Sequence, residues 1–528
     1  MTNDERPPFD IRHSGFVIDS SFWFRHSGLI ALGLLLVVAA TLRIHRAGQT
    51  GLIFDEIWHL GLSTGNGSPQ MSMPSDRLIA SAPSPTSLAD AKPVWRVWAN
   101  MDRCLHPPLY FVALHLWRNV WGPGDFAAHG LAICCSLISL VLLYDWANRS
   151  FGRSVALFAC ALFALAPMAI FLHQQVRGYA MLQMFGLAAI NAMARIDILG
   201  FSRRRGLALG AATLGMMLTH YFAFGAALML GLYALFLLRG KSRWQTAGCL
   251  IATLVIFTII WGPFIGPQIK DLAATGDTFL KEDRSDHVTE TFARLARLPA
   301  LQLFDLPQNL AGWVWPVCGA VLLLCVCAAK KRAARLPLIF LAGTFGFVTL
   351  LDLARSTQHL LFIRYTALGF PAMLALALVG LQQLHRFALW AGCASLLLTC
   401  GMVIGTASPI REEPGHWAKL AQYLRQHVRA DDPILFSSGE WASFYNQSLY
   451  LGTAHYSDLF PHSMVMMSHP MGEQLRQQLY GKTVWLVMPP PAKPEVWMPG
   501  TTVLQAHELP PFAWCYEIRV SSPERLLP

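Results

Sequence analysis

Two adjacent carboxylates, Asp55 and Glu56, are the residues whose types and spacing most clearly allow chemistry. They lie in the hexapeptide FDEIWH at 54–59, just after a long apolar segment that ends near Leu42. Neighbouring side chains diverge by about 100° on a helix and about 180° on a strand, so one carboxylate can face a reaction centre while the other is held by a supporting partner. A carboxylate facing a reaction centre is suited to take a proton from an attacking hydroxyl group. The simpler interpretation is a solvated helix cap beside the interfacial Trp58.

Four further polar motifs follow along the chain, each near an apolar segment. They are HPPLY at 106–110, QVRGY at 175–179, THY at 219–221 and RY at 364–365. Arginine is suited to bidentate contact with phosphate, so these motifs favour a site for an anionic, lipid-linked substrate. The candidate donor- and phosphate-binding residues are Arg177, Arg364, Tyr179, Tyr365 and His106, and the candidate supporting residues are His220, Tyr221 and Tyr110.

Each of these motifs also has a purely structural interpretation. Arg364 could extend its guanidinium group to lipid headgroups, and Arg177 could pair with a loop carboxylate such as Asp125 or Asp352. His220 could orient a carboxylate or bind a metal, and we favour the first. Buried hydrogen-bonding histidines and a helix that starts at prolines are the structural interpretations of His106, His220 and Pro107-Pro108.

The composition is that of a polytopic membrane protein. The 528 residues are 54% hydrophobic and only 14% charged, whereas soluble domains carry about 25% charged residues. The fold class is therefore mainly α. Because a bilayer span needs about 20 residues, we expect about 11 transmembrane helices, the first being an uncleaved signal anchor. The apolar segments fall at 28–44, 127–147, 154–171, 178–197, 206–219, 221–238, 247–266, 313–329, 336–353, 365–382 and 387–407.

Basic residues in the short loops predict the orientation. They cluster after every second apolar segment, at 149–153, 203–205, 239–243, 330–335 and 386. The positive-inside rule makes these loops cytoplasmic, which places the N-terminus in the cytoplasm and the C-terminus outside it. All five polar motifs then meet at the extracytoplasmic face. The clusters also account for much of the net charge of +10 without nucleic acid as a partner.

The predicted domains follow from this orientation. Residues 1–27 form a cytoplasmic segment, 28–407 a transmembrane domain with extracytoplasmic loops at 45–126 and 267–312, and 408–528 a small extracytoplasmic α/β domain. In the first loop, 61–92 is rich in Ser, Pro and Gly and is expected to be mobile, while 94–98 and 106–121 are predicted interfacial helices. The tail domain is expected to contain helices at 416–427 and 440–450 and strands at 433–437, 483–488 and 513–520.

The cysteines indicate neither a redox centre nor a metal site. Nine of the eleven lie in apolar segments, where cysteine behaves as a small hydrophobic residue. Cys104 and Cys515 lie elsewhere, and a disulfide between them is one arrangement that the sequence allows. The chain has no CxxC pair and no Cys/His metal spacing.

FDEIWH, HPPLY, QVRGYAM, LTHYF and IRYTALGFP, in this order and on these segments, resemble the membrane glycosyltransferases of family 39. These enzymes include the protein O-mannosyltransferases and the lipid A aminoarabinose transferases, which share the GT-C fold. The resemblance covers about residues 28–407. It implies a bacterial inner-membrane enzyme that takes a polyprenyl-phosphate sugar as donor and inverts its anomeric carbon. The Ser/Pro-rich insert and the tail domain do not match the family pattern.

The resemblance also implies roles for individual residues. Asp55 matches the catalytic base, and Glu56 its acidic neighbour, so both are candidate catalytic residues. Arg177 with Tyr179 matches the polar start of the fourth helix, and Arg364 with Tyr365 the basic element before a late helix. We expect the two arginines to hold the departing phosphate. We therefore expect an inverting transfer to an acceptor lipid, glycan or protein, with no cofactor and no metal.

Two other functions fit parts of the sequence. One is a transporter or flippase of lipid-linked sugars, although transporters tend to place charged residues near the midplane, on broken helices in paired halves. The other is a non-catalytic scaffold whose tail domain binds envelope partners.

Overall fold

The computed structural model describes residues 20–49, 51–68, 75–80, 85–101, 104–275, 286–304, 314–406, 416–437, 452–456, 463–489, 493–509 and 513–521. The predicted tail helix at 440–450 lies outside these described residues. Up to residue 406, the described residues form α1 (Ser20–Gln49), α2 (Phe54–Leu62), α3 (Val94–Ala99), α4 (Leu109–Trp121), α5 (Asp125–Phe151), α6 (Arg153–Leu165), α7 (Pro167–Gln174), α8 (Tyr179–Leu199), α9 (Arg203–Thr219), α10 (Ala223–Leu237), α11 (Gly240–Thr275), α12 (His287–Phe304), α13 (Val314–Ala328), α14 (Arg335–Arg355), α15 (Phe370–Leu384) and α16 (Arg386–Thr406). Short 3₁₀ turns lie at Arg332–Ala334, His359–Leu361 and Ile363–Gly369.

A helix lies at each of the eleven predicted apolar segments. Within the described residues, six helical stretches are long and apolar enough to cross a membrane, and α6 with α7 forms a seventh candidate that is bent by 64°. Shorter apolar helices lie at Ala223–Leu237, Val314–Ala328 and Leu389–Met402. The division of 206–238 into two helices, α9 and α10, is confirmed, while the count of eleven spans stays a prediction.

The bend between α6 and α7 occurs at Pro167, and Arg43 of α1 binds the carbonyl oxygens that the bend leaves unpaired. Pro167 has no N–H, so it cannot donate to the carbonyl oxygen of Phe163 as the helix would require. Arg43 of α1 donates instead, to the carbonyl oxygens of Phe163 at 3.3 Å and Ala164 at 3.1 Å. The arginine is fully buried. It therefore satisfies backbone groups that the break exposes inside the helix bundle.

The amphipathic helix α12 was not predicted from the sequence. α12 lies inside the predicted loop at 267–312. Its hydrophobic residues form a stripe interrupted by Glu290, Arg294 and Arg297, which makes it amphipathic rather than uniformly apolar. A search for long apolar runs passes over such a helix.

The tail domain carries α17 (His416–His427), α18 (Glu473–Leu479) and α19 (Pro494–Trp497), with β1 (Ile434–Ser437), β2 (Met464–Met467), β3 (Thr483–Met488), β4 (Thr502–Leu509) and β5 (Ala513–Arg519). The sheet order is β2-β1-β3-β5-β4, parallel for β1 with β2 and β3, and antiparallel for the other two pairs. The α/β prediction is confirmed, and the predicted elements at 416–427, 433–437, 483–488 and 513–520 correspond to α17, β1, β3 and β5. β2, β4, α18 and α19 were not predicted.

The tail domain contacts the first loop directly. The backbone N–H groups of Asp76 and Ile79 donate to the carbonyl oxygens of Met466 and Met464 on β2, at 2.7 and 2.9 Å. This pairing anchors part of the Ser/Pro-rich segment that composition predicts to be mobile. Cys104 and Cys515 are both buried thiols, and the candidate disulfide between them is not formed.

Candidate active site

Asp55 and Glu56 diverge from the start of α2, as predicted. Glu56 is 4% exposed. Its two carboxylate oxygens accept hydrogen bonds from the backbone N–H groups of Ile53, at 2.9 Å, and Val176, at 2.7 Å. Burial raises the pKa of Glu56 above its ordinary value, although these bonds and His129 oppose the shift. Glu56 thus joins the start of α2 to the loop before α8, and its catalytic role stays a prediction.

Asp55 faces the two arginines that the sequence analysis singled out. Arg177 Nη1 lies 2.6 Å from Asp55 Oδ2, and Arg364 Nη1 lies 3.8 Å from the same oxygen. Burial would raise the pKa of Asp55, but the positive charges of Arg177 and Arg364 outweigh it and hold the pKa below its usual value. The Asp55 side chain is still 30% exposed, whereas that of Arg177 is only 5% exposed. The carboxylate is therefore ionised and accessible.

The alternative pairings proposed for Arg177 are wrong. Asp125 binds Nε2 of His455 at 2.8 Å. Asp352 is fully buried and accepts hydrogen bonds from Thr357 Oγ1 and from the backbone and ring N–H groups of His359, all at 2.8 Å. Both carboxylates therefore pair with other residues and not with Arg177.

Arg364 turns toward the site rather than away from the protein. Its guanidinium carbon lies 4.7 Å from the Phe362 ring centre and 5.3 Å from the Tyr365 ring centre. The Arg177 guanidinium is similarly placed 5.0 Å from the ring centre of Tyr179. Aromatic rings therefore support both arginines from one side.

A pocket opens beside this ion pair. It is lined by His59, His106, Tyr110, Phe111, Arg177, Gly178, Tyr179, Thr219 and His220. Five residues that the sequence analysis assigned to the site thus meet in one pocket. His59 and Phe111 were not assigned a role there. His59 follows Asp55 by four residues, one turn of the same helix, and that spacing is a signal that the sequence offered.

The pocket contains three histidines whose environments favour the neutral form. Burial, together with the positive charge of Arg177, lowers the pKa of His106 to about 4. Burial likewise lowers the pKa values of His59 and His220 well below their ordinary value, with Arg177 and His106 contributing to both shifts. At neutral pH the three imidazole rings are therefore uncharged hydrogen-bonding groups.

Tyr221 and Tyr365 do not line the pocket. The hydroxyl group of Tyr221 donates to Gln268 and accepts a hydrogen bond from Trp261 at 2.9 Å. Tyr221 therefore faces α11, because the residue after His220 projects to another side of the chain. The Tyr365 ring lies 4.9 Å from the Phe222 ring. Tyr365 therefore packs against Phe222 and Arg364, outside the pocket.

A buried polar chain connects the segments that carry the two arginines. Arg43 Nη2 donates to Nδ1 of His173 at 3.0 Å, so the opposite nitrogen of His173 carries the proton and donates to Gln183. Gln183 Nε2 donates to the carbonyl oxygen of Ala367 at 2.5 Å. The chain begins at α1, passes through α7 and α8, and ends in the turn that carries Arg364. His173 lies four residues before Arg177, with a non-helical bend at 175–177 between them. The chain therefore links the segments that carry the two guanidinium groups.

In the described part of the chain, no group of three or more His, Cys, Asp or Glu side chains is placed to hold a metal ion. The expectation that the reaction needs no metal stays a prediction.

Comparison with known proteins identifies the class. Residues 105–264 match the family model described as dolichyl-phosphate-mannose-protein mannosyltransferase. This range contains His106, Tyr110, Arg177, Tyr179 and His220, whereas Asp55 and Arg364 lie outside it. None of the curated proteins is similar enough in sequence to match the chain.

Solved structures with the same fold cover nearly the whole chain. ArnT from Cupriavidus metallidurans bound to undecaprenyl phosphate is 15% identical, with a TM-score of 0.57 over 91% of this chain and 97% of that chain. The apo state of the same protein gives the same identity and TM-score over 93% and 98%. The oligosaccharyltransferase of Archaeoglobus fulgidus in complex with Zn and sulfate, at 11% identity over 93% and 73%, has a TM-score of 0.49, too low to show a shared fold.

The fold is therefore that of the GT-C membrane proteins, as predicted. With the family match, it identifies the chain as an integral membrane glycosyltransferase of this class.

Proposed function

We propose that this chain transfers a sugar from a polyprenyl-phosphate donor to a hydroxyl-bearing acceptor lipid, glycan or protein at the extracytoplasmic face of a bacterial inner membrane. The observation that carries the proposal is the convergence of Arg177 and Arg364 on the exposed carboxylate of Asp55, beside a pocket. The undecaprenyl phosphate bound by the ArnT relative supports this class of donor. In this chain, the two arginines are the groups that would receive its phosphate.

Arg177 and Arg364 would stabilise the phosphate as it leaves. When the bond between the anomeric carbon and the phosphate oxygen breaks, negative charge accumulates on the departing phosphate. Two guanidinium groups that are already fixed by aromatic rings need little rearrangement to receive this charge. Removing one such preorganised donor typically costs about 100- to 1,000-fold in rate.

Asp55 would act as the general base. It would take the proton from the acceptor hydroxyl as that oxygen attacks the anomeric carbon from the face opposite the phosphate, which inverts the configuration. Without donor, the arginines hold Asp55 in its ionised form and lower its basicity. A phosphate that engages Arg177 and Arg364 would weaken this hold and raise the pKa of Asp55, so the base would gain strength only in the donor complex.

Glu56 would position this machinery rather than react. Its two hydrogen bonds tie α2, which carries Asp55, to Val176, the residue before Arg177. The base and the phosphate-binding arginine would then keep a fixed separation.

The orientation is proposed from the ends of the helices. α8 begins beside the site at Tyr179 and ends near the basic run 203–205, and α15 begins after Arg364 and ends next to Arg386. Because clusters of basic residues mark the cytoplasmic side, the site lies at the opposite face. The N-terminus is then cytoplasmic and the C-terminus extracytoplasmic.

Donor binding tests this proposal. Full-length protein in nanodiscs would be titrated with polyprenyl phosphate and, separately, with a neutral polyprenol of the same length. We expect saturable binding of the phosphate only, and its loss in Arg177→Gln and Arg364→Gln. Arg149→Gln is the matched control, because Arg149 pairs with Asp145 at the other end of the bundle. Equal binding of the phosphate by all four proteins would contradict the proposal.

A further inference from the structure

The C-terminal end of α2, the helix that carries Asp55, is held by two side chains of α4. Arg118 Nη1 donates to the carbonyl oxygen of Leu60 at 3.1 Å and to Oγ of Ser63 at 2.9 Å. His115 Nδ1 donates to the carbonyl oxygen of Ser63 at 2.8 Å. The last carbonyl groups of a helix lack partners within the helix, and a cation near them is favourable. Because Arg118 is only 1% exposed, this end of α2 is fixed inside the protein.

The same arginine fixes a segment of the first loop. Arg118 Nη2 donates to the carbonyl oxygen of Thr86 at 2.7 Å. Thr86 is 4% exposed, although it lies in the Ser/Pro-rich stretch 61–92, whose composition predicts mobility. One guanidinium group therefore ties the backbone of Thr86 to α2, and the hydroxyl group of Thr86 remains for a second partner.

That second partner is His455 of the tail domain. Its Nδ1 lies 2.7 Å from Oγ1 of Thr86, and its Nε2 lies 2.8 Å from Oδ1 of Asp125, the first residue of α5. A carboxylate can only accept, so Nε2 carries a proton and donates to Asp125. In the neutral ring, Nδ1 then accepts from the hydroxyl group of Thr86. Both ring nitrogens are thus used to bind other parts of the chain.

The next residue of the tail domain binds the other end of α2. The hydroxyl oxygen of Tyr456 accepts a hydrogen bond from the backbone N–H of Leu52 at 2.7 Å, two residues before α2 begins. Two consecutive tail residues therefore hold the whole helix, because Tyr456 binds its start directly and His455 reaches its end through Thr86 and Arg118. This set, called the clamp below, consists of Tyr456, His455, Thr86 and Arg118.

The position of α2 matters because only one member of the central ion pair belongs to it. Asp55 lies in the first turn of α2, whereas Arg177 precedes α8 and is 5% exposed. Glu56 binds near the start of α2 only, so the direction of the helix also depends on how its far end is held. Misplacement of a catalytic group by about 1 Å can cost about 100-fold in rate.

We infer that His455 is a positioning residue for the transfer reaction, through which the tail domain holds the helix that carries the base. The inference rests on the proposed function, because His455 would act through Asp55 and not on a substrate. It assigns the tail domain a role in the rate of transfer that needs no contact with donor or acceptor.

Hydrogen exchange tests the clamp without relying on activity. In full-length protein in nanodiscs, His455→Phe should increase exchange of the backbone N–H groups of 57–64 by about threefold or more, as expected for the loss of one or two hydrogen bonds. Thr86→Val removes only the hydroxyl group and keeps the carbonyl bond to Arg118, so it should increase exchange of the same residues less. Unchanged exchange in His455→Phe would overturn the inference.

A matched control lies in the same domain. His469 also pairs with an aspartate outside the tail domain, since its Nδ1 lies 3.3 Å from Oδ2 of Asp76 in the first loop. This pair belongs to another contact between the tail and the first loop and is not part of the clamp. His469→Phe should therefore leave exchange of 57–64 as it is in the natural protein.

Steady-state kinetics tests the positioning role, with release of polyprenyl phosphate from a polyprenyl-phosphate hexose in the presence of an acceptor extract. His455→Phe should lower kcat by about 10- to 100-fold, with KM for the donor changing much less, because neither arginine belongs to α2. His455→Gln supplies one N–H donor and one carbonyl acceptor in place of the two ring nitrogens and should restore most of kcat. Adding Thr86→Val to His455→Phe should lower kcat no further, because the bond between them is already lost.

The possible failures are distinguishable. A natural kcat in His455→Phe, with increased exchange in α2, would contradict the positioning role and leave the proposed function intact. Equal losses of kcat in His469→Phe and His455→Phe would also contradict it, since the effect would then come from the tail domain as a whole. Absence of release by the natural protein, with no binding of polyprenyl phosphate, would overturn the proposed function and the positioning role with it.

Discussion

Arg177 and Asp55 form a 2.6 Å ion pair in which the arginine is almost fully buried and the aspartate remains partly exposed. An arginine paired with one exposed carboxylate can exchange that partner for a phosphate without leaving its position. The same pair therefore fits two stages of a transfer reaction, with Asp55 held ionised before the donor arrives and released when the phosphate engages Arg177.

Removing one arginine should change the pH dependence of the reaction. The charges of Arg177 and Arg364 lower the pKa of Asp55, so Arg364→Gln should raise that pKa. A base works only above its pKa, and the acid limb of kcat/KM should therefore move to higher pH. The pH profile of kcat/KM, which reports groups of the free enzyme, measures this. Arg149→Gln should leave the pH of the acid limb unchanged. An acid limb at the same pH in Arg364→Gln as in the natural protein would show that Asp55 is not the titrating group.

Substitution of Glu56 should lower stability together with activity. In Glu56→Gln the amide can accept only one of the two backbone N–H bonds, and its NH₂ group would face the other donor. An unsatisfied buried group costs about 1–3 kcal/mol, so the thermal unfolding midpoint should fall. Scanning fluorimetry of the purified protein measures this. An unchanged midpoint with a large loss of kcat would instead make Glu56 a catalytic residue.

Breaking the buried hydrogen-bond chain from Arg43 to Ala367 should lower kcat more than it lowers stability. Gln183→Met has nearly the same volume but cannot donate to Ala367, so the turn that carries Arg364 should shift. Misplacement of a catalytic group by about 1 Å can cost about 100-fold. We expect kcat to fall by about 10- to 100-fold, with KM changing much less. Steady-state kinetics and the unfolding midpoint separate the two effects.

A matched control for Gln183 lies on the same helix. Asn191 is also a buried amide on α8, but it binds Asp145 at the end of the helix away from the site. Asn191→Leu should lower the unfolding midpoint and leave kcat within about twofold. Equal losses of kcat in both variants would mean that Gln183 acts through stability alone.

The tail domain should influence the site through Tyr456. Its hydroxyl oxygen accepts a hydrogen bond from the backbone N–H of Leu52 at 2.7 Å, immediately before the helix that carries Asp55. In Tyr456→Phe that N–H loses its partner, and the start of α2 should become less ordered. Hydrogen exchange of 51–62, followed by mass spectrometry, should increase. Unchanged exchange there would argue against coupling between the tail domain and the site.

Much of the architecture was predictable because its signals are local. Long apolar runs reveal membrane helices, and alternating basic loops indicate their orientation. The polar motifs were also recognisable, and Asp55, Arg177 and Arg364 do meet. These residue types are unusual beside apolar segments, so the sequence alone draws attention to them.

Other features could not be predicted because their causes are not local. Val176 meets Glu56 through its backbone N–H, which no side chain reveals. Tyr221 belongs to a polar motif yet faces α11, because its direction depends on how the chain turns after His220. α12 lacks a uniformly apolar sequence, and β2 gains part of its pairing from the distant segment around Asp76.

The most direct test of the account compares the natural protein with Asp55→Asn on a lipid-linked donor. Purified protein in nanodiscs would be supplied with a polyprenyl-phosphate hexose and an acceptor extract, and release of polyprenyl phosphate would be followed together with donor affinity. We predict release by the natural protein, loss of at least about 100-fold in Asp55→Asn, and a donor affinity that is equal or higher in the variant, since both arginines are then free for the phosphate. Equal release by both proteins would contradict the assignment of Asp55 as the base.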